Sequence, residues 1–306
     1  MGVRRSARAG SCALSFVLLV LALPLRAQSL YEQARTARAR GQLDSAYDLI
    51  QRAAAAEPER AEVQFLLGDI ACDKAGRASM FSAMGLARKC KAAFGRAVEL
   101  APDSLTYLEA LASYLMQAPG IAGGDKDSAQ KLADKVRARD EVRGVFLLTR
   151  IWWQGNAGSK ARADSAVEAL GRSHATDRVV QSRVAGWWEG TGRLERALAI
   201  WQALVARDPS DPVAQFFVGR ELVVMKREAR EAQRHLRLAA AAAPGAVPAP
   251  GPGVLTFTPG APWYRLGQTY VQLGMSDSAR LCFHRALEIN PQLQPARLSL
   301  DSLGQH

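Results

Sequence analysis

A phrase of alanine-rich helix, a polar residue and then proline recurs along the chain, and it limits the fold more than any other feature. Proline cannot continue a helix, and it disfavours helical angles in the residue before it. Each phrase therefore predicts the end of a helix, and the recurrence predicts a series of stacked helical hairpins. The prolines concerned are Pro58, Pro102, Pro209, Pro244 and Pro291.

Asp-Ser-Ala phrases mark the starts of helices in the same series. The side chains of Asp and Ser accept hydrogen bonds from the free backbone N–H groups at a helix start. The four phrases begin at Asp44, Asp127, Asp164 and Asp277, and each precedes a stretch with helical apolar spacing. Asp127 and Gln130 also have the spacing of a capping box.

Between these stops and starts lies a further helix, in which a small residue lets two backbones approach closely. These residues are Ala34, Gly68, Ala112, Ala185, Gly219 and Gly267. Each is followed three residues later, on the same helix face, by Ala37, Ala71, Leu115, Trp188, Leu222 or Tyr270. Together the signals predict seven hairpins over 28–60, 61–102, 103–141, 142–176, 177–210, 211–244 and 261–292, and a capping helix over 294–303.

The last hairpin resembles the tetratricopeptide repeat most clearly. The consensus W-x2-L-G-x2-Y and its later alanine, aromatic and proline positions correspond to Trp263, Leu266, Gly267, Tyr270, Ala279, Phe283, Ala286 and Pro291. The resemblance extends, more weakly, over nearly all of the chain after residue 27. It implies an all-α fold: a right-handed solenoid of about seven antiparallel helix-turn-helix hairpins plus a C-terminal capping helix.

The chain departs from a regular repeat at three places. Around 77–89 the second hairpin carries about ten residues more than a 34-residue repeat, and 118–127 separate the helices of the third, so both stretches are predicted as inserted loops. A Pro/Gly-rich linker covers 244–261, with 254–257 as a short extended piece. We predict the segments 1–27 (signal peptide), 28–243 (repeats one to six), 244–261 (linker) and 262–306 (last repeat and capping helix).

In the tetratricopeptide family the first helix of each hairpin lines a concave groove. By position, the resemblance implies a groove lined by Arg35, Arg38, Phe65, Asp69, Glu109, Met116, Phe146, Arg150, Trp153, Phe216, Arg220, Tyr264 and Gln268. Aromatic and arginine side chains contribute much of the binding energy in protein interfaces. The alternative is the hairpin core for each aromatic residue and a solvated surface for each arginine.

The first residues of the chain predict export. An arginine-rich start is followed by an apolar run over 13–25 and by a cleavage site at Ala27. The run is short for a bilayer, which takes about 20 residues. We therefore predict a cleaved signal peptide and a periplasmic protein of a Gram-negative envelope, with an uncleaved anchor as the alternative. The general and twin-arginine export routes both stay open.

The charge of the chain argues against nucleic acid as a partner. The net charge of +11 falls to +7 on cleavage, because residues 1–27 carry four arginines and no acidic residue. The remaining basic residues are spread along the predicted helices and alternate with acidic ones. Nucleic-acid binders instead concentrate them in a stripe with aromatic side chains. A solvated, arginine-rich surface is the expected result.

Three cysteines remain after cleavage, and an odd number cannot be fully paired within one chain. Cys72 and Cys90 fall in one hairpin, where an oxidising compartment allows them to form a disulfide bond. Because the geometry of a disulfide bond is strict, we favour the alternative that these two and Cys282 are small buried side chains.

Signals for catalysis or for a cofactor are weak. The stretch 120–128 lacks the Gly-Lys-Ser/Thr of a phosphate loop, and Asp125 and Asp127 lack the further ligands of a calcium loop. The four histidines have no metal-ligand spacing, and no nucleophile elbow or CxxC pair occurs. We predict no catalytic residue, no cofactor and no metal.

The predicted function is a non-catalytic scaffold of the bacterial cell envelope that binds a protein or an extended peptide in its groove. Two alternatives stay open. One is an enzyme or enzyme subunit with a site in the inserted loops 77–89 and 118–127. The other is a module that binds the cell wall or a membrane surface. Self-association through an exposed end of the array is a further option. We expect no nucleic-acid partner and no stable membrane span after cleavage.

Overall fold

The computed structural model describes residues 29–242, 245–248 and 255–304. These residues form fifteen α-helices and one short 3-10 turn and contain no β-strand, so the predicted all-α fold is confirmed. They divide into two compact units between Leu100 and Ala101. The predicted signal peptide lies outside the described residues.

The first unit consists of two helical hairpins. Its helices are α1 (Leu30–Ala39), α2 (Leu43–Ala56), α3 (Ala61–Ala75) and α4 (Met80–Leu100). Each helix packs against the next one in the chain. The core between them contains Ala34, Ile50, Val63 and Ile70, all of which are fully buried.

The second unit consists of five hairpins and a final helix. The hairpins are α5 (Leu105–Gln117) with α6 (Lys126–Arg139), α7 (Glu141–Trp153) with α8 (Ala157–Ser173), α9 (Arg178–Gly190) with α10 (Leu194–Arg207), α11 (Pro212–Val224) with α12 (Ala229–Ala240), and α13 (Ala261–Gln272) with α14 (Ser276–Ile289), and they are followed by α15 (Gln294–Leu303). With the first unit, the described residues contain the seven predicted hairpins and the predicted C-terminal helix.

The predicted helix stops are confirmed wherever the structure describes them. Helices α2, α4, α10 and α14 each end two residues before a proline of the recurring phrase. The loss of the backbone donor and the restricted residue before proline account for these ends. Pro244 lies outside the described residues.

Three of the four predicted helix starts are confirmed in position, but the predicted capping by Asp44, Asp127 and Asp277 is wrong, since the N-cap residues are Gln42, Asp125 and Met275. Helices α2, α6 and α14 each begin one residue before the aspartate of an Asp-Ser-Ala phrase. The fourth is wrong, because Asp164 lies well inside α8. The cap of α8 is Asn156, whose Oδ1 accepts a hydrogen bond from the backbone N–H of Ser159 at 3.0 Å. Asparagine is as good a cap as aspartate, so the earlier residue begins the helix.

Glycines in the first helices make room for a large side chain of the second. A Cβ atom at Gly68 would lie 2.5 Å from Cδ1 of Phe94, and one at Gly267 would lie 2.4 Å from Cε1 of Phe283. At Gly219 a Cβ atom would lie 2.5 Å from Cγ of Leu236. These distances are overlaps, so only glycine permits the packing. Alanine serves the same purpose at Ala34, Ala112 and Ala185, each fully buried.

Ion pairs join neighbouring hairpins of the second unit at a spacing of one repeat. Arg143 of α7 donates from Nε and Nη2 to the two carboxylate oxygens of Glu109 on α5, both at 2.8 Å. Arg178 of α9 binds Asp211 in the same way at 2.6 and 2.9 Å, and the buried Asp211 also caps α11. Two parallel bonds make such pairs strong and orient them, so they fix how adjacent hairpins align.

The extra residues of the second hairpin form helix, which corrects the prediction of an inserted loop over 77–89. Helix α4 has 21 residues and begins at Met80, so only 76–79 remain as the turn. Alanine, methionine, leucine and basic residues in this stretch all favour helix, and one glycine does not break it. The lengthened end of α4 leaves Phe81 94% exposed. Of the predicted loop over 118–127, residues 118–125 do form a loop, with a 3-10 turn at Gly120–Ala122, whereas Lys126 and Asp127 already belong to α6.

A disulfide bond joins α3 to α4. It links Cys72 and Cys90, whose Cα atoms are 5.3 Å apart, within the range that a disulfide requires. The expectation that both would be buried thiols is therefore wrong, since facing positions of one hairpin bring them together. Cys282 is free and buried, and burial raises the pKa of its thiol to about 11.

His235 of α12 is a buried titratable group in the sixth hairpin. Its Nδ1 lies 2.5 Å from Oε1 of Gln215, and its Nε2 lies 3.4 Å from Oε1 of Glu231. Burial lowers the pKa of His235 from its ordinary value of 6.5, and this effect exceeds the opposite effect of Glu231. The nearby Arg234 lowers the pKa further. The fold therefore favours the neutral form of this histidine.

This burial predicts a pH dependence of stability. Because the folded pKa of His235 lies below the unfolded one, its contribution to stability is complete above about pH 6.5 and is lost as the pH falls towards the folded pKa. We expect His235→Leu to flatten the decrease in the free energy of unfolding between pH 7 and pH 5. His284→Leu, at an exposed position, is the control and should keep the wild-type slope. Urea denaturation at several pH values measures both, and equal slopes would refute the assignment.

Candidate functional site

The inner sides of the first helices in the second unit bring together most of the predicted binding residues there. In α7, α9, α11 and α13 these residues recur three to four positions apart, so they share one side of each helix. We name this surface the first-helix face. It comprises Phe146, Arg150, Arg183, Gly186, Glu189, Phe216, Arg220, Arg265 and Gln268.

At the α7–α9 end of the face an arginine lies on an aromatic ring. The guanidinium carbon of Arg183 is 4.2 Å from the centre of the Phe146 ring. Burial lowers the pKa of Arg183, although Asp140 and Glu109 oppose the effect. Glu109 is already bound by Arg143 through two hydrogen bonds. Within the described residues, Arg183 has no ion pair or hydrogen bond of its own, so it is a partly buried cation without a directly bound carboxylate.

Trp153, another predicted groove residue, packs edge-on against Trp187 of the next hairpin, with ring centres 5.3 Å apart. Trp187 Nε1 donates to Asp164 at 3.2 Å, and Trp152 Nε1 donates to Gln130 at the same distance. These contacts of Trp152, Trp153 and Trp187 therefore hold neighbouring helices together and orient the α7–α9 end of the face. Arg150 remains exposed beside them.

The centre of the first-helix face is a network of charges that satisfy one another. Arg220 donates from Nε to Glu221 at 2.8 Å and also pairs with Glu189. Glu189 accepts a further hydrogen bond from Nε1 of Trp201 at 2.7 Å. Glu221 is 1% exposed, and burial raises its pKa even though Arg220 lowers it. Because its charge is balanced here, Arg220 has a structural role rather than that of a free binding group.

Residues of the predicted linker lie on the same face. A Cβ atom at Gly186 would be 3.0 Å from Cδ1 of Leu255, and the rings of Phe216 and Phe257 are 4.7 Å apart. Phe216 is consequently 4% exposed. Leu255–Phe257 have no regular secondary structure, and Val254, the first residue of the predicted extended piece, lies outside the described residues.

A cavity of about 300 Å³ lies between α11, α13, α14 and α15. Arg265 and Lys226 contribute its charged groups, and no acidic residue lines it. Arg265 Nη1 donates to Gln268 Oε1 at 2.8 Å, and Gln268 Nε2 donates to the hydroxyl of Tyr264 at 2.9 Å. Burial lowers the pKa of Arg265. Of the predicted groove residues, Gln268 lines the cavity, and Tyr264 packs beside Phe283.

In the first unit, the predicted groove residues all have partners within the unit. Arg38 forms ion pairs with Asp69 and Asp73, the second at 2.9 Å. Arg35 pairs with Glu32 within its own helix. Phe65 packs on Phe94 with ring centres 5.6 Å apart. The two remaining predictions lie on α5 of the second unit, where Met116 is 4% exposed and Glu109 is held by Arg143.

Sequence reasoning missed Arg183 and Arg265. Both lie two residues before the small residue of their helix, a position that Leu66 and Phe217 occupy as buried side chains in other hairpins. The repeat consensus leaves this position open, and Glu32 occupies it in the first hairpin, so the sequence carried no firm signal for the two arginines.

The described residues contain no group of three histidine, cysteine or acidic side chains that could hold a metal ion. In the same parts of the chain, no helix combines the length and the apolar character needed to cross a bilayer.

The stacked hairpins and the first-helix face define a helical repeat protein. Comparison with known families and solved structures indicates which type of repeat the last hairpin is. Residues 261–293 match the family model of the tetratricopeptide repeat. A tetratricopeptide repeat protein from Parabacteroides merdae ATCC 43184 is 14% identical, with a TM-score of 0.51 over 90% of this chain and 98% of that chain. A thermophilic TPR protein from Thermus thermophilus is 18% identical over 81% of this chain and 100% of that chain, with a TM-score of 0.34.

The last hairpin is therefore a tetratricopeptide repeat, as its sequence predicts, and the other described hairpins share its helix-turn-helix fold. At 14% identity the Parabacteroides structure shows the fold alone, and the Thermus structure adds no argument at its TM-score. No curated protein sequence matches the chain.

Proposed function

We propose that the chain is a non-catalytic scaffold of the cell envelope that holds an extended segment of a protein partner against the first-helix face. Tetratricopeptide-type hairpins support a role in protein interaction, because stacked hairpins offer a long surface without a reaction centre. The partner segment lies along α7 and α9, beside Phe146, Arg150 and Arg183.

The proposal rests on the environment of Arg183. A partly buried guanidinium without a directly bound carboxylate is costly to the folded protein, and a carboxylate or carbonyl group of a partner would offset that cost. Its position on the Phe146 ring holds the planar group ready to donate two parallel hydrogen bonds. Arginine stacked on an aromatic ring is also the type of side chain that concentrates binding energy.

The proposed location in the cell envelope is supported by the cysteines and by the first residues of the chain. A Cys72–Cys90 bond persists where the surroundings are oxidising, as they are in the periplasm, and is rare in the cytosol. The signal-like pattern over 1–27, outside the described residues, has the form that directs export.

Photo-crosslinking in cells tests the proposal. A benzophenone amino acid at Arg150, on the first-helix face, should crosslink a discrete partner in the envelope fraction. The same probe at Arg172, exposed on the second helix α8, should not. Arg183→Ala should reduce crosslinking from position 150 at least about tenfold, since removal of one central arginine contact costs about 2 kcal/mol or more.

Two further results of this experiment discriminate between explanations. Deletion of residues 2–27 should remove the crosslinked product from the envelope fraction, and its persistence there would contradict export by this segment. Equal products from positions 150 and 172, or a product insensitive to Arg183→Ala, would show that the first-helix face is not the binding surface.

A further inference from the structure

The chain itself places a segment without regular secondary structure on the first-helix face. Leu255 lies over Gly186 of α9, where the missing side chain leaves room for it, and Phe257 lies over Phe216 of α11. Residues two apart in an extended chain point to the same side. The segment therefore presents an aliphatic and an aromatic side chain to two successive first helices.

The segment is held by its side chains much more than by its backbone. Leu255, Thr256 and Phe257 are only partly buried. In the described parts of the chain their backbone groups form no hydrogen bond with α9 or α11. The one local restraint is internal to the linker, where Thr256 Oγ1 donates to the carbonyl of Pro248 at 3.1 Å. The contact thus resembles a bound peptide more than a fixed part of a hairpin.

We propose that this part of the face is a binding site for a partner segment with an aliphatic and an aromatic side chain two residues apart, and that Leu255–Phe257 occupies the site until such a segment displaces it. The inference rests on the proposed function and specifies the partner's chemistry. Gly186 forms the floor for the aliphatic side chain, and Phe216 forms the surface for the aromatic one. Arg183 lies one helical turn before Gly186, so the partner segment continues towards α7.

An attached competitor has a predictable effect on affinity. A segment tethered by a short linker has an effective concentration on the order of millimolar at its site. The apparent affinity of a free segment is reduced by the fraction of molecules in which the site is open. Removing the two apolar side chains of the tether should therefore increase the apparent affinity for a free segment.

A labelled peptide with the sequence of residues 253–260 (GVLTFTPG) is the probe. By fluorescence anisotropy, it should bind the Leu255→Ala/Phe257→Ala variant of the full mature chain at least about tenfold more tightly than the wild type. The same peptide with alanine at both apolar positions should bind neither protein. Leu298→Ala, at an exposed position of α15, should behave like the wild type.

A third substitution locates the site and guards against loss of structure. Adding Gly186→Leu to the open variant fills the floor, so peptide binding should return to the wild-type level. Should the double variant fail to unfold cooperatively, Leu255→Ala alone gives the same comparison with one contact left in place. The inference is overturned if a cooperatively folded open variant does not bind the peptide at millimolar concentration, or if wild type and open variant bind it equally.

The outcome is separable from that of the proposed function. Peptide binding to the open variant without any crosslinked partner would support the peptide site and refute the proposed envelope scaffold. Crosslinking from position 150 without peptide binding would support the proposed scaffold and refute the proposed aliphatic and aromatic side chains of its partner.

Discussion

Trp201→Ala should lower the free energy of unfolding of the second unit by about 3–5 kcal/mol, which is typical for the loss of a large buried aromatic side chain. Trp201 is fully buried and stacks on Phe217, with ring centres 4.4 Å apart and planes inclined by 9°. Its removal also takes the Nε1 donor from Glu189, which lies in the central charge network of the face. The effect therefore combines a cavity with a weakened carboxylate site.

Urea denaturation followed by circular dichroism measures this loss. Trp201→Phe keeps an aromatic ring on Phe217 but removes the hydrogen bond, so we expect about 1.5–3 kcal/mol for this variant. Leu281→Ala changes a side chain that is 72% exposed, and it should remain within about 0.5 kcal/mol of the wild type. A loss below about 1 kcal/mol for Trp201→Ala would mean that hairpin five does not depend on this core.

Removing the disulfide bond should have the second large effect, confined to the first unit. The bond joins residues 18 apart in sequence. A crosslink that closes a loop of this size restricts the unfolded chain and thereby stabilises the folded state by about 3 kcal/mol. The Cys72→Ser/Cys90→Ser variant should therefore lose about that much stability in hairpin two. Hydrogen exchange of the amides in α3 and α4 reports on this region directly.

Reductant provides the matched control for the disulfide. Dithiothreitol should destabilise α3 and α4 in the wild type to the level of the double serine variant, and it should not affect that variant further. Cys282→Ser should leave the response to reductant unchanged, because Cys282 is not in the bond. Sensitivity to reductant that persists without Cys72 and Cys90 would contradict this account. All six tryptophans lie at position 152 or beyond, so tryptophan fluorescence should not change.

The repeat signals predicted those parts of the fold that depend on one residue type at one position. Gly68 and Gly267 were recognisable because a close approach of two helices tolerates no side chain there, and the structure shows the rings of Phe94 and Phe283 in that space. The prolines were equally informative, since a missing donor ends a helix in any environment. Such local requirements can be derived from sequence without knowledge of the neighbours.

Features that depend on competition between local signals, or on distant neighbours, were harder to predict. Asp164 has the residues of a helix start, but Asn156 caps the same helix earlier. Residues 80–89 exceed the repeat length, and their helix propensity lengthens α4 instead of producing a loop. No local signal indicated that Leu255 and Phe257 lie on α9 and α11, because that contact depends on where the chain returns.

The one-repeat ion pairs have a consequence for the order of the hairpins. Arg143 finds its carboxylate one hairpin earlier in the chain, whereas Arg178 finds its carboxylate one hairpin later. The hairpins that these two pairs join therefore carry charges placed for their own neighbours. Hairpins exchanged between positions would keep their helices but lose their bidentate partners. The hairpins of this array are therefore not interchangeable, and their order along the chain matters for its stability.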